Sequence, residues 1–326
     1  MRRLAGPLGA LALAGCVSPS PTLPPAPLPY AATIAVDAAA VPLDPTDPSR
    51  QAIGRFVYAG GLHLTSQQTA RLHGLSDIKV RTDGRLVSAS DQSDLLRARV
   101  VLDGSGRLIG VADAHLAALK DATGADLYAG GQREFDSEGV AELASGDLLV
   151  SFEQNDRVLR FPRDGGPPRP APQPQIAYTF NKGMEGLAAD PMSGPDAYRT
   201  AMEGSGQSFL CRLATGCTPS FHIDLEGLEL TSLDMLPDGR MAVLLRGFSP
   251  LRGNSIKLKI LDRQGRRIDG MEMARPLTVD NFEGLAAVPG PGGRIRFYLI
   301  SDDNFGHFAG APTDQRTLLL AFDWRP

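Results

Sequence analysis

Carboxylates fall at matching points of a repeated pattern in this chain. Glu138, Glu185 and Glu283 each stand directly before a glycine and open an apolar stretch. Ser76 or Asp77, and Thr231, hold the same point in two further stretches. A second series closes the next apolar stretch of each unit: Asp91, Glu153, Glu203, Arg246, and Asp303 with Asp302 beside it. If the fold brings both series to one place, up to nine carboxylates meet, with Arg246 as the one cation of the second series. Like charges that close either raise one another's pKa or take up a cation. Hard oxygen donors in number suit Ca²⁺, which takes about six to eight. The expectation is one or more divalent cations, Ca²⁺ preferred, held by Glu138, Glu185, Glu283, Asp91, Glu153, Glu203, Asp302 and Asp303. Arg246, with Lys182 and Arg316 on loops, would steady a substrate anion; Arg133 is a further loop cation. The same acids have another reading, in which they cap backbone amides of neighbouring units or pair with arginine. The glycine after each glutamate fits both, since it permits close backbone approach.

Other chemistries find no support. The chain lacks a Gly-x-Ser-x-Gly elbow, a His-Glu-x-x-His pair, a Walker loop and a dinucleotide fingerprint. The five histidines show no ligand spacing. His115 and His222 fall in expected outer strands, whereas His73 and His307 lie near the expected acidic mouth and are candidate acids or bases.

These residues are positioned by a repeat. Five segments share one plan: an apolar strand, a turn, then a second apolar strand ending in a charged residue. From Ser76 the starts advance by about 62, 47, 46 and 52 residues. The turns carry hairpin chemistry, Asp83-Gly84, Ser145-Gly146, Ser193-Gly194, Asp238-Gly239 and Gly292-Gly293. Periods of this length made of strands are those of propeller blades. The fourth segment holds four strands, roughly 230–236, 240–247, 255–262 and 266–274. The last holds three, and the missing strand is available in Arg55-Phe-Val-Tyr-Ala-Gly-Gly-Leu-His-Leu. The predicted fold is therefore an all-β propeller of four-stranded blades, its ring closed by an N-terminal strand. Five blades are favoured. Six would follow if the long first period hides a degenerate blade, and a two-layer sandwich is the plainer alternative. An insertion near Leu116–Gly131 is expected, with one or two helical turns at Ala114-His-Leu-Ala-Ala-Leu-Lys120.

At the same residues the chain resembles the phytase-like domain family, also called the esterase-like domain of phytase. The resemblance rests on Asp136-Ser-Glu-Gly-Val-Ala, Met184-Glu-Gly-Leu-Ala, Phe282-Glu-Gly-Leu-Ala, Ile300-Ser-Asp-Asp-Asn-Phe and Gln315-Arg-Thr-Leu-Leu-Leu-Ala-Phe, and spans about 54–326. It implies a β-propeller, an exported bacterial protein and a relation to calcium-dependent hydrolysis of phosphate esters. The chain departs from what inositol hexakisphosphate would need, because so anionic a substrate calls for several Lys and Arg besides metal. Only Arg246, Lys182, Arg133 and Arg316 qualify, so a smaller phosphate or carboxylic ester is expected. Two alternatives stand beside an ester hydrolase: a non-catalytic propeller binding a ligand or protein of the cell envelope, and a lactonase-like hydrolase.

The N-terminus sets the compartment. Met1-Arg2-Arg3 is a short basic region, and Leu4 to Ala14 is apolar but too short to span a membrane. Leu13-Ala14-Gly15-Cys16 resembles the bacterial lipoprotein signal, so residues 1–16 are read as a signal peptide with Cys16 lipidated, and Val17 points to the outer membrane. Residues 17–50, rich in Pro and Ala, are read as a linker to a domain at 51–326. Export implies an oxidising compartment. There Cys211 and Cys217, flanking a hairpin turn, are expected to form a disulfide. With 42% hydrophobic and 21% charged residues the chain is globular. A net charge of −4 with no basic block disfavours nucleic acid. A monomer touching the membrane only through its lipid, on the periplasmic side, completes the expectation.

Overall fold

The structure, a computed structural model, describes residues 32–308 and 311–326. The leader, Cys16 and the proline cluster from Pro19 to Pro29 lie outside the described residues. Five antiparallel sheets of blade form make a ring. The first blade runs from the axis outward as Leu75–Val80, Arg85–Ser90, Asp94–Leu102 and Leu108–Ala118. The second is Ser137–Glu142, Leu148–Phe152, Arg157–Phe161 and Arg169–Ala171. The third is Met184–Ala189, Ala197–Met202, Gln207–Arg212 and Gly216–His222. The fourth is Glu229–Met235, Met241–Ser249, Gly253–Leu261 and Arg267–Met273, close to the four strands expected. The fifth takes Phe282–Pro289, Ile295–Ser301 and Leu318–Trp324 from the C-terminus and Phe56–Thr65 from the N-terminus. The chain is a five-bladed β-propeller, and no sixth blade occurs among the described residues.

Blades pack face to face, so a strand is buried on both sides and its sequence loses the polar alternation of a half-exposed sheet. Met241 through Leu245 are all fully buried. Met241, Val243 and Leu245 face the core shared with the third blade, while Ala242 and Leu244 face the one shared with the fifth. Each junction between blades holds one such apolar cluster. The hairpins joining first to second strands turn on glycine: Gly84 and Gly239 take φ of +83° and +82°, which side chains with a Cβ rarely adopt.

The innermost strands leave unpaired backbone groups facing the axis, and an ion pair of the first blade serves them. Asp77 accepts from Val140 N at 2.9 Å, Leu285 N at 3.3 Å and Ser232 Oγ at 2.7 Å. Lys79 Nζ holds both oxygens of Asp77 and donates to Leu233 O and Leu285 O at 3.2 and 3.1 Å. Three other blades are thereby tied to the first, and backbone groups that would otherwise be orphaned are satisfied.

Two expectations are corrected. Ala114–Lys120 is not a helical turn: residues to Ala118 form the outer strand Leu108–Ala118, because that edge pairs with the neighbouring strand. The short helix lies further on, at Gln132–Phe135. The linker is also shorter than 17–50. Ala32–Thr33 pairs with Leu116 and His115, Asp37–Ala40 pairs with Phe56–Thr65, and Leu43 is fully buried with its carbonyl bound by Thr278 N at 2.8 Å. These residues cover the outer edges of two blades, which exposed backbone favours. Cys211 and Cys217 stand directly opposite in adjacent strands and are joined as a disulfide.

Closure by the N-terminal strand predicts its energetic weight. Leu62, opposite Leu319, is 1% exposed. Leu62→Ala is expected to cost about 2–5 kcal/mol in urea unfolding. A loss under about 1 kcal/mol would mean the closing strand is dispensable.

Candidate metal centre

Each innermost strand enters its sheet through a one-residue bulge at the same end. The register slips at Ser76, Glu138, Glu185, Thr231 and Glu283, one in each blade. A bulge leaves its residue unpaired and re-aims the side chain. That is how the sequence delivers three glutamates to a common mouth. The following glycine is required by the neighbouring blade: a Cβ on Gly139 would lie 2.9 Å from Glu185 O, and one on Gly284 2.8 Å from Asp77 Cα. The second strands return to the same mouth. Asp91, Glu153, Glu203 and Asp302 each follow the last strand residue, and their amides bind the carbonyls of Gly74, Asp136, Gly183 and Asn281. Asp302, not Asp303, is therefore the fifth-blade member of this series. Asp77 lies deeper, on the axis.

Nine carboxylates interact around this mouth: Asp91, Asp136, Glu138, Glu153, Glu185, Glu203, Glu229, Glu283 and Asp302. Two cations stand among them. Arg246 is clamped by Glu283 and Asn281, with Glu229 at 3.6 Å. Lys182 pairs with Glu229, and its Nζ lies 3.0 Å from Glu203. Asn281 Nδ2 also donates to Glu283 and Asp302, both at 3.0 Å. Arg246 and Lys182, expected to hold a substrate anion, are spent on protein carboxylates.

The electrostatics follow from burial and this imbalance. Burial, then Glu185 and other neighbouring carboxylates, push Glu138 well above its usual range. Burial followed by Glu203 and Glu283 does the same to Glu185, which is 9% exposed. Asp91 is raised likewise by burial and Glu283, and Asp302 by burial, Asp91 and Glu283. Burial lifts Asp136, Glu153 and Glu283, the last against the pull of Arg246. Glu203 rises to about 7 through burial, with Lys182 opposing. Glu229 is held low: burial pushes it up, but Lys182 and Arg246 outweigh it.

The ring is not uniform. On the second and third blades two triads share Glu153: Asp136, Glu138 and Glu153, and Glu153, Glu185 and Glu203. In each triad one oxygen per residue lies within 4.8 Å of the others. Behind Glu153, a buried oxygen of Asp156 has no hydrogen-bond partner among the described residues. Among the described residues only oxygen donors occur here, without imidazole or thiolate, so the set suits a hard cation. Asp91, Glu283 and Asp302 belong to the ring but not to the triads. Asp91 accepts from Ser76 Oγ at 2.5 Å. Asp136, present in the sequence motif but not singled out, joins the cluster because the loop before the bulge folds back toward Glu153.

Asp303 is a correction. Its oxygens accept from Gly74 N at 3.0 Å, Phe305 N at 3.1 Å and Thr317 Oγ1 at 2.9 Å, and lie 2.5 Å from His73 Nδ1. Burial pushes it up, but His73 and these donors hold it low. With both oxygens engaged by these donors, it braces the loop. Arg316 is another: its guanidinium Nε lies 3.3 Å from Asp280, outside the ring. Arg133 offers its carbonyl to Arg157 and has no contact with the ring carboxylates. His307 binds the Phe305 carbonyl at 3.2 Å.

A carboxyl whose folded pKa is raised stabilises the fold fully below its ordinary pKa, and that contribution is lost as pH rises through the raised value. Chelator-treated protein is therefore expected to melt lower at pH 8 than at pH 5, with Glu203, at about 7, inside the window. His73, raised by the Asp303 hydrogen bond, acts in the same direction. The diagnostic part is what added Ca²⁺ restores at pH 8. A melting temperature that rises from pH 5 to 8 without metal would contradict the assignment.

Comparison with known proteins places this geometry. No curated protein sequence matches the chain. Among solved structures it is similar to a candidate gluconolactonase, at 15% identity over 91% of this chain and 90% of that one, TM-score 0.47. It is also similar to the Malassezia sympodialis allergen Mala s 1, at 12% identity over 84% and 91%, TM-score 0.44. Virginiamycin B lyase from Staphylococcus aureus is similar at 9% identity over 88% and 99%, TM-score 0.44. The family model described as "Esterase-like activity of phytase" matches residues 70–305, from the loop before the first bulge through every mouth carboxylate. The chain belongs to the phytase-like family.

Proposed function

We propose that the chain is a metal-dependent ester hydrolase working at its acidic mouth, with Ca²⁺ as the metal. One observation carries the reading: among the described residues, nine carboxylates share the mouth with only Lys182 and Arg246. Asp136, Glu138, Glu153, Glu185 and Glu203 would hold the ion. A bound Ca²⁺ would supply charge neutralisation at an ester oxygen and ease ionisation of an attacking water. The protein's own residues do the positioning. The bulges aim Glu138 and Glu185, Lys182 sets Glu203, and Arg246 with Asn281 fixes Glu283. Since both mouth cations are committed, a polyphosphorylated substrate lacks partners. A small phosphate monoester or carboxylic ester fits better.

A second reading is a non-catalytic binding propeller of the cell envelope. It is favoured by how little of Glu153, Glu185 and Glu203 reaches solvent, 4%, 9% and 5%. In either case the same proposal has the chain exported and tethered through a lipid on Cys16, at the periplasmic side of the outer membrane, as a monomer. The support is the order of basic start, apolar stretch and Leu13-Ala14-Gly15-Cys16.

Hydrolysis of nitrophenyl phosphate and nitrophenyl acetate, with chelator and with added Ca²⁺, separates the readings. Turnover that needs Ca²⁺ and falls about 100-fold or more in Glu185→Gln is expected for the hydrolase. Turnover indifferent to chelation and to that substitution would reject the mouth as the catalytic centre. Stabilisation by Ca²⁺ without turnover would select the binding propeller.

A further inference from the structure

The face opposite the acidic mouth gathers arginines beside the first two blades. Hairpins that join first and second strands emerge there, and between the first two blades they border a groove. One lobe, of about 350 Å³, is lined by Arg81, Arg85, Arg97 and Arg99, with Asp113 and Glu142 as its carboxylates. The adjoining lobe, of about 430 Å³, has an apolar part walled by Leu95, Leu119, Phe161 and Pro168, with Lys120, Asp121 and Arg163 also on its lining. Arg97, Gly146 and Leu148 line both lobes, so the two cavities adjoin. Three of the arginines are neutralised: Arg81 by Glu142 at 2.7 Å, Arg85 by Asp83 at 2.8 Å and Arg99 by Asp113 at 2.8 Å. Arg97 is different. It is exposed, and among the described residues its guanidinium has neither an ion-pair nor a hydrogen-bond partner.

Its place in the sheet explains why it can stay unpaired. Arg97 sits mid-strand in Asp94–Leu102, opposite Val87 on one side and His115 on the other, neither of them an acid. A guanidinium presents donors in a planar fork that matches phosphate and carboxylate oxygens. Its excess charge stands where a cationic lobe meets an apolar one, in a protein of net charge −4. Ligand sites combine apolar walls with a few placed polar groups in this manner.

We infer that this groove is a binding site for a small amphipathic oxyanion, its phosphate or carboxylate head on Arg97 and its compact apolar body in the lobe walled by Leu95, Leu119, Phe161 and Pro168. The site is separate from the acidic mouth and stands whether or not the mouth is catalytic.

Calorimetric titration with phenyl phosphate, in chelator so that no metal at the mouth can hold the anion, tests it. Inorganic phosphate serves as the comparison ligand. Arg97→Ala removes a side chain without partners and so leaves the fold intact. The expected result is saturable binding, weaker by about tenfold or more in Arg97→Ala, unchanged in Glu185→Gln, and weaker for inorganic phosphate. Loss in Glu185→Gln with retention in Arg97→Ala would move the anion to the mouth and overturn the inference. So would absence of binding, or equal affinity for inorganic phosphate. Arg97-dependent sedimentation with phosphatidic acid vesicles, without binding of phenyl phosphate, would replace the small-molecule site with a lipid surface and would likewise overturn it.

Discussion

Like charges forced together are the constraint on which the structure turns. Each blade contributes a bulge at the same end of its inner strand, and three of the five bulges carry glutamate. The returning strands add four more acids. Burial removes the water that would otherwise screen them, so each ionised carboxylate raises its neighbours. The protein answers part of this internally. Arg246 and Lys182 engage Glu283, Glu229 and Glu203, and Asn281 bridges Glu283 to Asp302. On the second and third blades the answer is only partial, through Lys182 on Glu203, Gly183 N on Glu153 and Gln154 on Asp136. There Asp136, Glu138, Glu153, Glu185 and Glu203 converge with only Lys182 and, more weakly, Arg246 to offset them among the described residues, and it is there that a hard ion has reason to bind.

The axis shows the contrasting solution. Asp77 is as buried as any mouth carboxylate, yet it has Lys79 on both oxygens and donors from three other blades. Such a fully bonded charge organises structure, because every polar group in it is satisfied. Asp303, wrapped by His73, Thr317 and two amides, belongs with Asp77. Acids of one chain thus divide into those that brace the ring and those left facing one another.

Much of this was legible in the sequence. Hairpin glycines, apolar pairs of strands and the Glu-Gly steps mark the five blades, and the three-stranded last unit calls for Phe56–Thr65. Glu138, Glu185, Glu153 and Glu203 were found because they sit at equivalent points of the repeat. Residues outside the repeat were harder to place. Asp136 reaches the cluster through a loop, Arg316 is drawn off by Asp280, and Ala114–Ala118 reads as helix locally but is held as a strand by its neighbour. In each case a tertiary contact, invisible to periodicity, decided the outcome. The half-linker that packs on the outer strands was hidden for the same reason: its proline-rich composition does not reveal that Leu43 finds a buried seat.

The account stands on the mouth carboxylates needing an external counter-ion. Calorimetric titration of chelator-treated protein with Ca²⁺ tests this directly. It should give saturable heat for at least one ion, greatly diminished when Glu153, shared by both triads, is replaced by glutamine. Absence of heat with Ca²⁺, Mg²⁺ and Mn²⁺ alike would show that the carboxylates settle their repulsion by protonation alone, and the metal centre would fall with it.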